Sequence, residues 1–396
     1  MRSLIRRIDN GQSATAYADN GKDGADFLFL GVNGMTKLEQ ARQIINETDV
    51  EMARLFERRM DASRTVAAYK KEHGLPVEDL AREAQILTRN ASLITDEEYR
   101  SYYVNFLQSV MGLSKQFQHR LLDGMRVAYS GVEGAFASIA ATRVFPDAVA
   151  VACPDFKAAY DAVVNGDCDC ALLPVENSYN GDVGQVLDLA FFGPLFVSGV
   201  YEIEVVHHLL GVKGTALGDI KQVISHPQAL GQCAAYIREH GFEPIEAVNT
   251  AVAAKQVADL GRTDLAAIGS AEAAEKFGLV KLESRINESS NNTTRFAVFT
   301  RAQRAPSPND QRFLMLFTVK NAAGSLGRAV SVIGEHGFNL QALKSRPTKE
   351  LIWDYYFYVE GEGNVHSEQG RAMLKELKTC CSNLKILGSF EKERHI

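Results

Sequence analysis

The chain holds 396 residues, 46% hydrophobic and 23% charged, with 43 basic and 49 acidic side chains and a formal net charge of −6. This is a globular composition. It argues against collagen-like, coiled-coil or bulk-disordered chains, and the acidic balance argues against a broad basic surface for nucleic acid. No apolar run approaches the ~18 residues a membrane-spanning helix needs, and the N-terminal stretch lacks the apolar core and cleavage site of a secretory signal. The 6 cysteines include no Cys-x-x-Cys pair; they read as small buried residues of a reduced, cytoplasmic protein, and no metal site is indicated.

Residues 1–37 are rich in Gly, Asp, Asn and Ala, with one apolar patch from Phe27 to Leu30, and read as a mobile extension. Met35, just ahead of the first helical segment, is the expected native start. Residues 38–122 read as helical. Ile45, Met52, Leu55, Phe56 and Val66 recur at helical spacing, and Gly74-Leu-Pro76 makes a turn. A second helix is predicted over residues 77–88. Thr95-Asp-Glu-Glu98 is a capping-box pattern that opens a third helix running to about residue 120. A first helix of ~34 residues would be ~50 Å long, too long for two shorter helices of its own chain to cover, so its apolar stripe calls for a second subunit.

Residues advance about 100° each around a helix. Arg59 and Lys70 therefore share one stripe to within ~20°, while Arg42 points roughly 100° away from Arg59. Asp79 and Glu83 are i,i+4 neighbours, as are Ser114 and Gln118. Singly, the cations read as a solvated face, the acids as first-turn charges favoured by the helix dipole, and Ser114 and Gln118 as surface polar residues. In order, Arg42, Arg59, Lys70, Gly74-Leu-Pro-Val-Glu-Asp79, Glu83 and Ser114-Lys-Gln-Phe-Gln118 resemble the helical chorismate mutase family over residues 38–121. The resemblance implies an intertwined dimer that rearranges chorismate to prephenate. That reaction is unimolecular. It needs a folded conformer and stabilised charge on the ether oxygen, and no nucleophile, metal or cofactor. By resemblance Arg59 holds one substrate carboxylate and the partner subunit's Arg42 the other. Lys70 and Gln118 donate to the ether oxygen, Asp79 and Glu83 bind the hydroxyl region, and Ser114 supports a carboxylate. Arg58 is a rival for Arg59 that the spacing to Lys70 disfavours.

Residues 125–301 change period. Strands are predicted at 126–130, 148–152, 170–175, 196–206, 222–225, 244–248, 265–268 and 295–300, alternating with helices. This argues for two α/β lobes with largely parallel sheets and a cleft between them. Gly131-Val-Glu133-Gly-Ala-Phe136 follows a strand and opens a helix, where backbone N–H groups could hold a carboxylate; without Gly-x-Gly-x-x-Gly it indicates no dinucleotide. Leu173-Pro-Val-Glu176-Asn177-Ser178 ends an apolar strand. Ser225-His226-Pro-Gln228-Ala-Leu-Gly-Gln232 follows another, with Ser225 the expected helix cap. Asn291-Asn-Thr-Thr294-Arg295-Phe296 precedes a strand. His207-His208 falls in an apolar strand and reads as structural. Together the four segments resemble prephenate dehydratase across residues 125–301. The resemblance implies a periplasmic-binding-like pair of lobes that converts prephenate to phenylpyruvate without a cofactor. Hydroxide leaves badly, so an acid or hydrogen-bond donor must assist it. Thr294 is placed near the leaving hydroxyl and Arg295 on a substrate anion or cleft structure. Phe296, Asn177, Ser178, His226, Gln228 and Glu133 fall with the cleft, and Glu176 is either catalytic or orienting.

After a polar linker over residues 302–311, strand, helix, strand, strand, helix and strand are predicted at 312–319, 325–336, 339–346, 352–359, 368–378 and 384–388. This is the ferredoxin-like α+β order. Gly324-Ser325-Leu326 and Lys344-Ser345-Arg346-Pro347 resemble the ACT regulatory domain of phenylalanine-sensitive dehydratases, with Ser325 in place of Ala and Lys344 in place of Glu. The resemblance implies L-phenylalanine held where two such domains pair, and feedback inhibition whose strength the charge reversal at Lys344 puts in question.

The whole reads as a multidomain cytoplasmic enzyme of chorismate and prephenate, a homodimer or homotetramer without nucleic-acid or membrane partners. Its rivals are a prephenate or arogenate dehydratase whose helices only dimerise, and a non-catalytic small-molecule sensor.

Overall fold

The computed structural model describes residues 36–289, 291–348 and 354–396. Residues 1–35, with the expected extension, apolar patch and start at Met35, lie outside the described residues, as do the first two residues of the strand expected at 352–359. The chain divides into two compact units, residues 1–62 and 63–396.

The described part of the first unit is the opening of one helix, α1 (Lys37–His73). Thr36 and Glu39 form its reciprocal cap: Thr36 Oγ1 accepts from Glu39 N (3.2 Å) and Glu39 Oε2 from Thr36 N (2.7 Å). No Gly or Pro interrupts α1 before Gly74, so it runs for 37 residues. Within this unit Leu38, Ile44, Ile45, Val50, Leu55 and Phe56 are exposed.

The second unit takes in the last turns of α1, then α2 (Leu80–Ala91) and α3 (Glu97–Asp123). α2 starts later than the predicted residue 77, because the Asp79 carboxylate accepts from Arg82 N (3.0 Å) and caps it there. Asp96, not Thr95, caps α3 by accepting from Glu98 N (2.9 Å).

Strands β1 (Arg126–Ser130), β2 (Val149–Cys153), β3 (Cys170–Asn177), β4 (Gly181–Asp182), β5 (Phe196–Glu204), β6 (His208–Gly211), β7 (Gln222–Ser225), β8 (Glu243–Glu246), β9 (Leu265–Gly269), β10 (Val280–Glu283) and β11 (Thr293–Thr300) follow. Between them run α4 (Phe136–Val144), α5 (Phe156–Asn165), α6 (Gly184–Phe192), α7 (Pro227–Gln232), α8 (Ala234–Glu239), α9 (Thr250–Leu260) and α10 (Ala271–Phe277). The C-terminal strands are β12 (Arg312–Thr318), β13 (Asn339–Pro347), β14 (Tyr355–Glu362), β15 (Ser382–Phe390) and β16 (Arg394–His395), with α11 (Ser325–Glu335) and α12 (Glu368–Cys380).

Lobe one is built on the sheet β16-β5-β11-β3-β1-β2, with β4 on β3; lobe two on β10-β6-β9-β7-β8. Both sheets are mixed rather than largely parallel. β1 is parallel to β2 and β3, and β7 to β8 and β9. β11 is antiparallel to β3 and β5, and β6 to β9 and β10. Strands joined by helical crossovers must run parallel. The chain, however, leaves lobe one at the end of β5 and returns from lobe two as β11, which enters reversed. The two crossings are stitched together: Val205 N donates to Asn292 O (2.7 Å), His207 N to Asn287 Oδ1 (2.7 Å) and Asn287 Nδ2 to Val205 O (2.9 Å).

The C-terminal sheet, β13-β14-β12-β15, is antiparallel throughout. Alternation along β12 decides its packing. Phe313, Met315 and Phe317 face a core with α11 and α12, while Leu314 and Leu316 join Tyr356, Tyr358 and Leu387 in one core with Leu173, Val186, Leu187 and Val197 of lobe one. The linker is tied as well: Asp310 is buried and accepts from Arg304 Nη1 (2.5 Å), Ser307 N (3.1 Å) and Ser389 Oγ (2.8 Å).

Candidate active sites

Of the expected mutase residues, Arg42 and Arg59 belong to the first unit; Arg42 is exposed and Arg59 half-buried. In the second unit, Lys70 Nζ donates to Val77 O (2.6 Å), joining the end of α1 to the loop before α2. Glu83 pairs with Lys115 of α3 (2.9 Å). Ser114, next to Lys115, and Gln118, about one turn beyond Ser114, are both buried. The Ser114 hydroxyl donates to Val110 O (2.9 Å), whereas Gln118 Oε1 has no hydrogen-bond partner among the described residues. A buried amide oxygen without a partner is costly in a folded core, and a donor on a polar ligand would satisfy it. Asp79 is exposed and occupied in capping α2.

In the lobes, the ends of β3 and β11 meet in register, Thr294 beside Asn177. Asn177 Nδ2 donates to Thr294 Oγ1 (2.9 Å) and Asn292 Oδ1 (3.0 Å), while Asn177 Oδ1 accepts from Tyr179 N (3.1 Å) and Asn180 N (3.0 Å). Asn292 Nδ2 donates to Gln232 Oε1 (2.9 Å) of lobe two, which also accepts from His207 Nε2 (2.9 Å) at the crossing. That acceptor places the His207 proton on Nε2. Burial pushes the imidazole down to about 4, outweighing the Gln232 hydrogen bond, so it is neutral near pH 7. The ring of Phe136, from the glycine segment, meets His207 edge-on at 5.6 Å between centroids. Ser178 Oγ donates to Asn291 O (2.8 Å) and accepts from Thr293 N (2.9 Å). His226, not Ser225, caps α7, its Nδ1 accepting from Gln228 N (3.2 Å); the buried Ser225 hydroxyl donates to Ile268 O (2.6 Å) instead. Gln228 is exposed.

Cavities of about 540 and 260 Å³ lie between the lobes and share Arg143 and Glu272. Two ion pairs cross from lobe to lobe there: Lys276 with Glu133, and Arg143 with Glu272 (2.5 Å). Thr294 and Asn177 line neither cavity. Their neighbours line the smaller one: Phe136, which touches His207, and Ile203, the β5 partner of Thr294.

Arg295, expected on a substrate anion or on cleft structure, and Glu176, expected to be catalytic or orienting, pair with each other. Side chains alternate along a strand, so Arg295 turns to the face opposite Thr294. Its guanidinium meets Glu176 (3.0 Å), Glu360 (2.8 Å), Glu393 (3.2 Å) and Glu202 (3.7 Å), which joins lobe one to the C-terminal sheet. Phe296 is buried among Tyr129, Leu172 and Val298 beneath α4, a core position rather than a binding one.

Gly324 takes the left-handed conformation (φ 83°) that starts α11, with Ser325 and Leu326 half-buried behind it. On β13, Ser345 and Pro347 are exposed. Arg346 instead pairs with Asp188 of lobe one (Nε–Oδ1 2.8 Å), which also accepts from the Tyr356 hydroxyl (2.7 Å). Asn292 and Gln232 were missed, although both lay inside the quoted segments. Amide side chains carry no charge pattern to single them out.

A prephenate dehydratase family model matches residues 127–304, and a chorismate mutase type II model residues 41–119. The bifunctional chorismate mutase/prephenate dehydratase of Enterobacter agglomerans is 30% identical over 370 residues, covering 89% of this chain and 95% of its own. A solved structure described as a novel type of quorum quenching acylase is 30% identical with a TM-score of 0.63, covering 68% of this chain and 98% of its own. The prephenate dehydratase of Arthrobacter aurescens, solved in complex with L-Phe, shares the fold at 24% identity and a TM-score of 0.63, covering 68% of this chain and 90% of its own. With both models matched in order along a chain that aligns almost end to end with its bacterial relative, the protein belongs to the bifunctional chorismate mutase/prephenate dehydratase family.

Proposed function

We propose that the chain converts chorismate to prephenate with its helical residues, and prephenate to phenylpyruvate, carbon dioxide and water at the Thr294 network, on the route to L-phenylalanine. The observation that carries this is the pairing of two catalytic family matches in one chain with a polar network at the dehydratase segments. Because Thr294 Oγ1 accepts from Asn177, its own hydrogen can be donated to the departing hydroxyl, and loss of carboxylate is driven by the ring becoming aromatic. Lys70 and Gln118 donate to the ether oxygen of chorismate, Arg59 and the partner subunit's Arg42 hold its carboxylates, and Glu83, Asp79 and Ser114 support the rest of it. Ser178, His226, Gln228 and Glu133 contact prephenate. The chain works as a cytoplasmic dimer or tetramer, which would cover the apolar stripe of α1. L-phenylalanine acts as effector at Gly324, Ser325, Leu326, Ser345 and Pro347, with Arg346 holding that strand to lobe one through Asp188.

The deciding experiment follows chorismate loss and phenylpyruvate formation separately in purified full-length protein, with and without phenylalanine. Both should proceed, and phenylalanine should slow the second. Chorismate that persists while added prephenate is converted would make the helices a scaffold. Arogenate turned over faster than prephenate would change the substrate. No turnover of either would remove the dehydratase reading and leave the acylase activity described for one structural neighbour to be assayed.

Lys70→Ala should lower mutase kcat at least ~100-fold, about 2.7 kcal/mol, as loss of an oxyanion donor does. Arg42→Ala should be similarly impaired. Co-expressed, the two variants should recover up to about a quarter of normal mutase activity, because half of randomly paired dimers carry one intact site of two. No recovery would refute a site shared between subunits.

A further inference from the structure

β13 is the edge strand of the C-terminal sheet, and its alternation turns Lys344 and Arg346 inward while Leu343, Ser345 and Pro347 stay exposed. The Lys344 side chain is only 12% exposed. Its Nζ donates to Glu176 Oε1 (2.9 Å) and meets Asp182 Oδ1 at 2.6 Å. Those two carboxylates stand opposite each other across the β3–β4 hairpin, Glu176 paired with Asp182 and Asn177 with Gly181. Like charges directly opposite on paired strands push them apart, and a shared ammonium turns that repulsion into a clamp. The clamped hairpin carries Asn177 and Ser178, and Asn177 is the donor that holds Thr294. A glutamate at this position, as in the motif Lys344 departs from, would add a third carboxylate to the pair.

We propose that Lys344 is a positioning residue of the dehydratase: through Glu176 and Asp182 it fixes the hairpin that aims Asn177 at Thr294, so that the C-terminal sheet sets the rate of dehydration. The inference rests on the dehydratase reading of the Thr294 network. Mispositioning a reacting group by about 1 Å is worth up to ~100-fold in rate.

The test uses the full chain, with mutase turnover as the internal control for folding. Lys344→Met should lower dehydratase kcat about 10- to 100-fold, with KM moved less and mutase turnover unchanged. Lys344→Arg, which keeps the charge, should restore most of the rate. Asp182→Asn, at an exposed position, should show a smaller loss, and adding it to Lys344→Met should cost nothing further, because both disable one clamp. Normal dehydratase kcat in Lys344→Met, or additive losses in the double variant, would overturn the proposal. If Lys344→Met does not fold, normal kcat in Asp182→Asn overturns it. Failure of the unaltered chain to convert prephenate would instead overturn the dehydratase reading itself.

Discussion

Thr294→Ala is expected to lower dehydratase kcat by about 10²- to 10³-fold while leaving mutase turnover at its normal value, the size of effect seen when one donor to a developing oxyanion is removed. The network predicts a clean loss rather than collapse. Asn177 keeps its bond to Asn292 (3.0 Å), and its carbonyl keeps Tyr179 and Asn180, so the hairpin remains tied without the hydroxyl. Thr294→Ser retains the hydroxyl and should recover most of the rate, whereas Thr294→Val keeps the shape and should not. Separate assays of chorismate loss and phenylpyruvate formation on the three variants check this. Near-normal dehydration by Thr294→Val would remove Thr294 from the reaction.

Much of this site was legible because its segments join a strand end to a turn or helix, where polar residues at fixed offsets break an apolar run. Strand boundaries in the C-terminal module were equally readable, with β12, β13 and α11 matching prediction to within a residue or two at each end. What stayed hidden depends on tertiary placement. β10 is not among the predicted strands, and β6 is read only as the apolar stretch around His207-His208; length is not the reason, since β7, equally short, is placed at 222–225. Strand direction in a two-lobed chain follows from where the chain crosses, which no local pattern encodes. In the sequence Arg295 stays open between a substrate anion and cleft structure: period-two alternation separates it from Thr294, but what its own face packs against is a matter of tertiary placement. Lys344 looked like a departure from a regulatory motif. Its partners, Glu176 and Asp182, lie more than 160 residues earlier in the chain.

Arg295→Met is expected to destabilise the second unit by about 3–5 kcal/mol, the range for breaking a buried pair on one side, because the carboxylates it meets stay behind without their cation. The Glu360 side chain is only 5% exposed and also accepts from the buried Tyr358 hydroxyl (2.8 Å), so water cannot take over its charge. Arg295→Lys should recover only part of the loss, since a point charge cannot serve four carboxylates as a planar fork does. Denaturant unfolding followed by far-UV circular dichroism reads both variants, and a loss under about 1 kcal/mol for Arg295→Met would mean the cluster is solvated rather than structural. The pH dependence gives a second check. For Glu176, burial alone would raise the carboxyl, but the hydrogen bonds from Lys344 and Arg295 outweigh it and hold the group below the usual carboxylate range. Its contribution to stability is therefore present above the ordinary carboxylate pKa and is lost as pH falls through the lowered value. In Arg295→Met the stranded carboxylates take up protons more readily, which relieves their buried charge. The stability gap between variant and unaltered protein should thus be widest near neutral pH and narrow on acidification; a gap independent of pH would assign the loss to packing and not to charge.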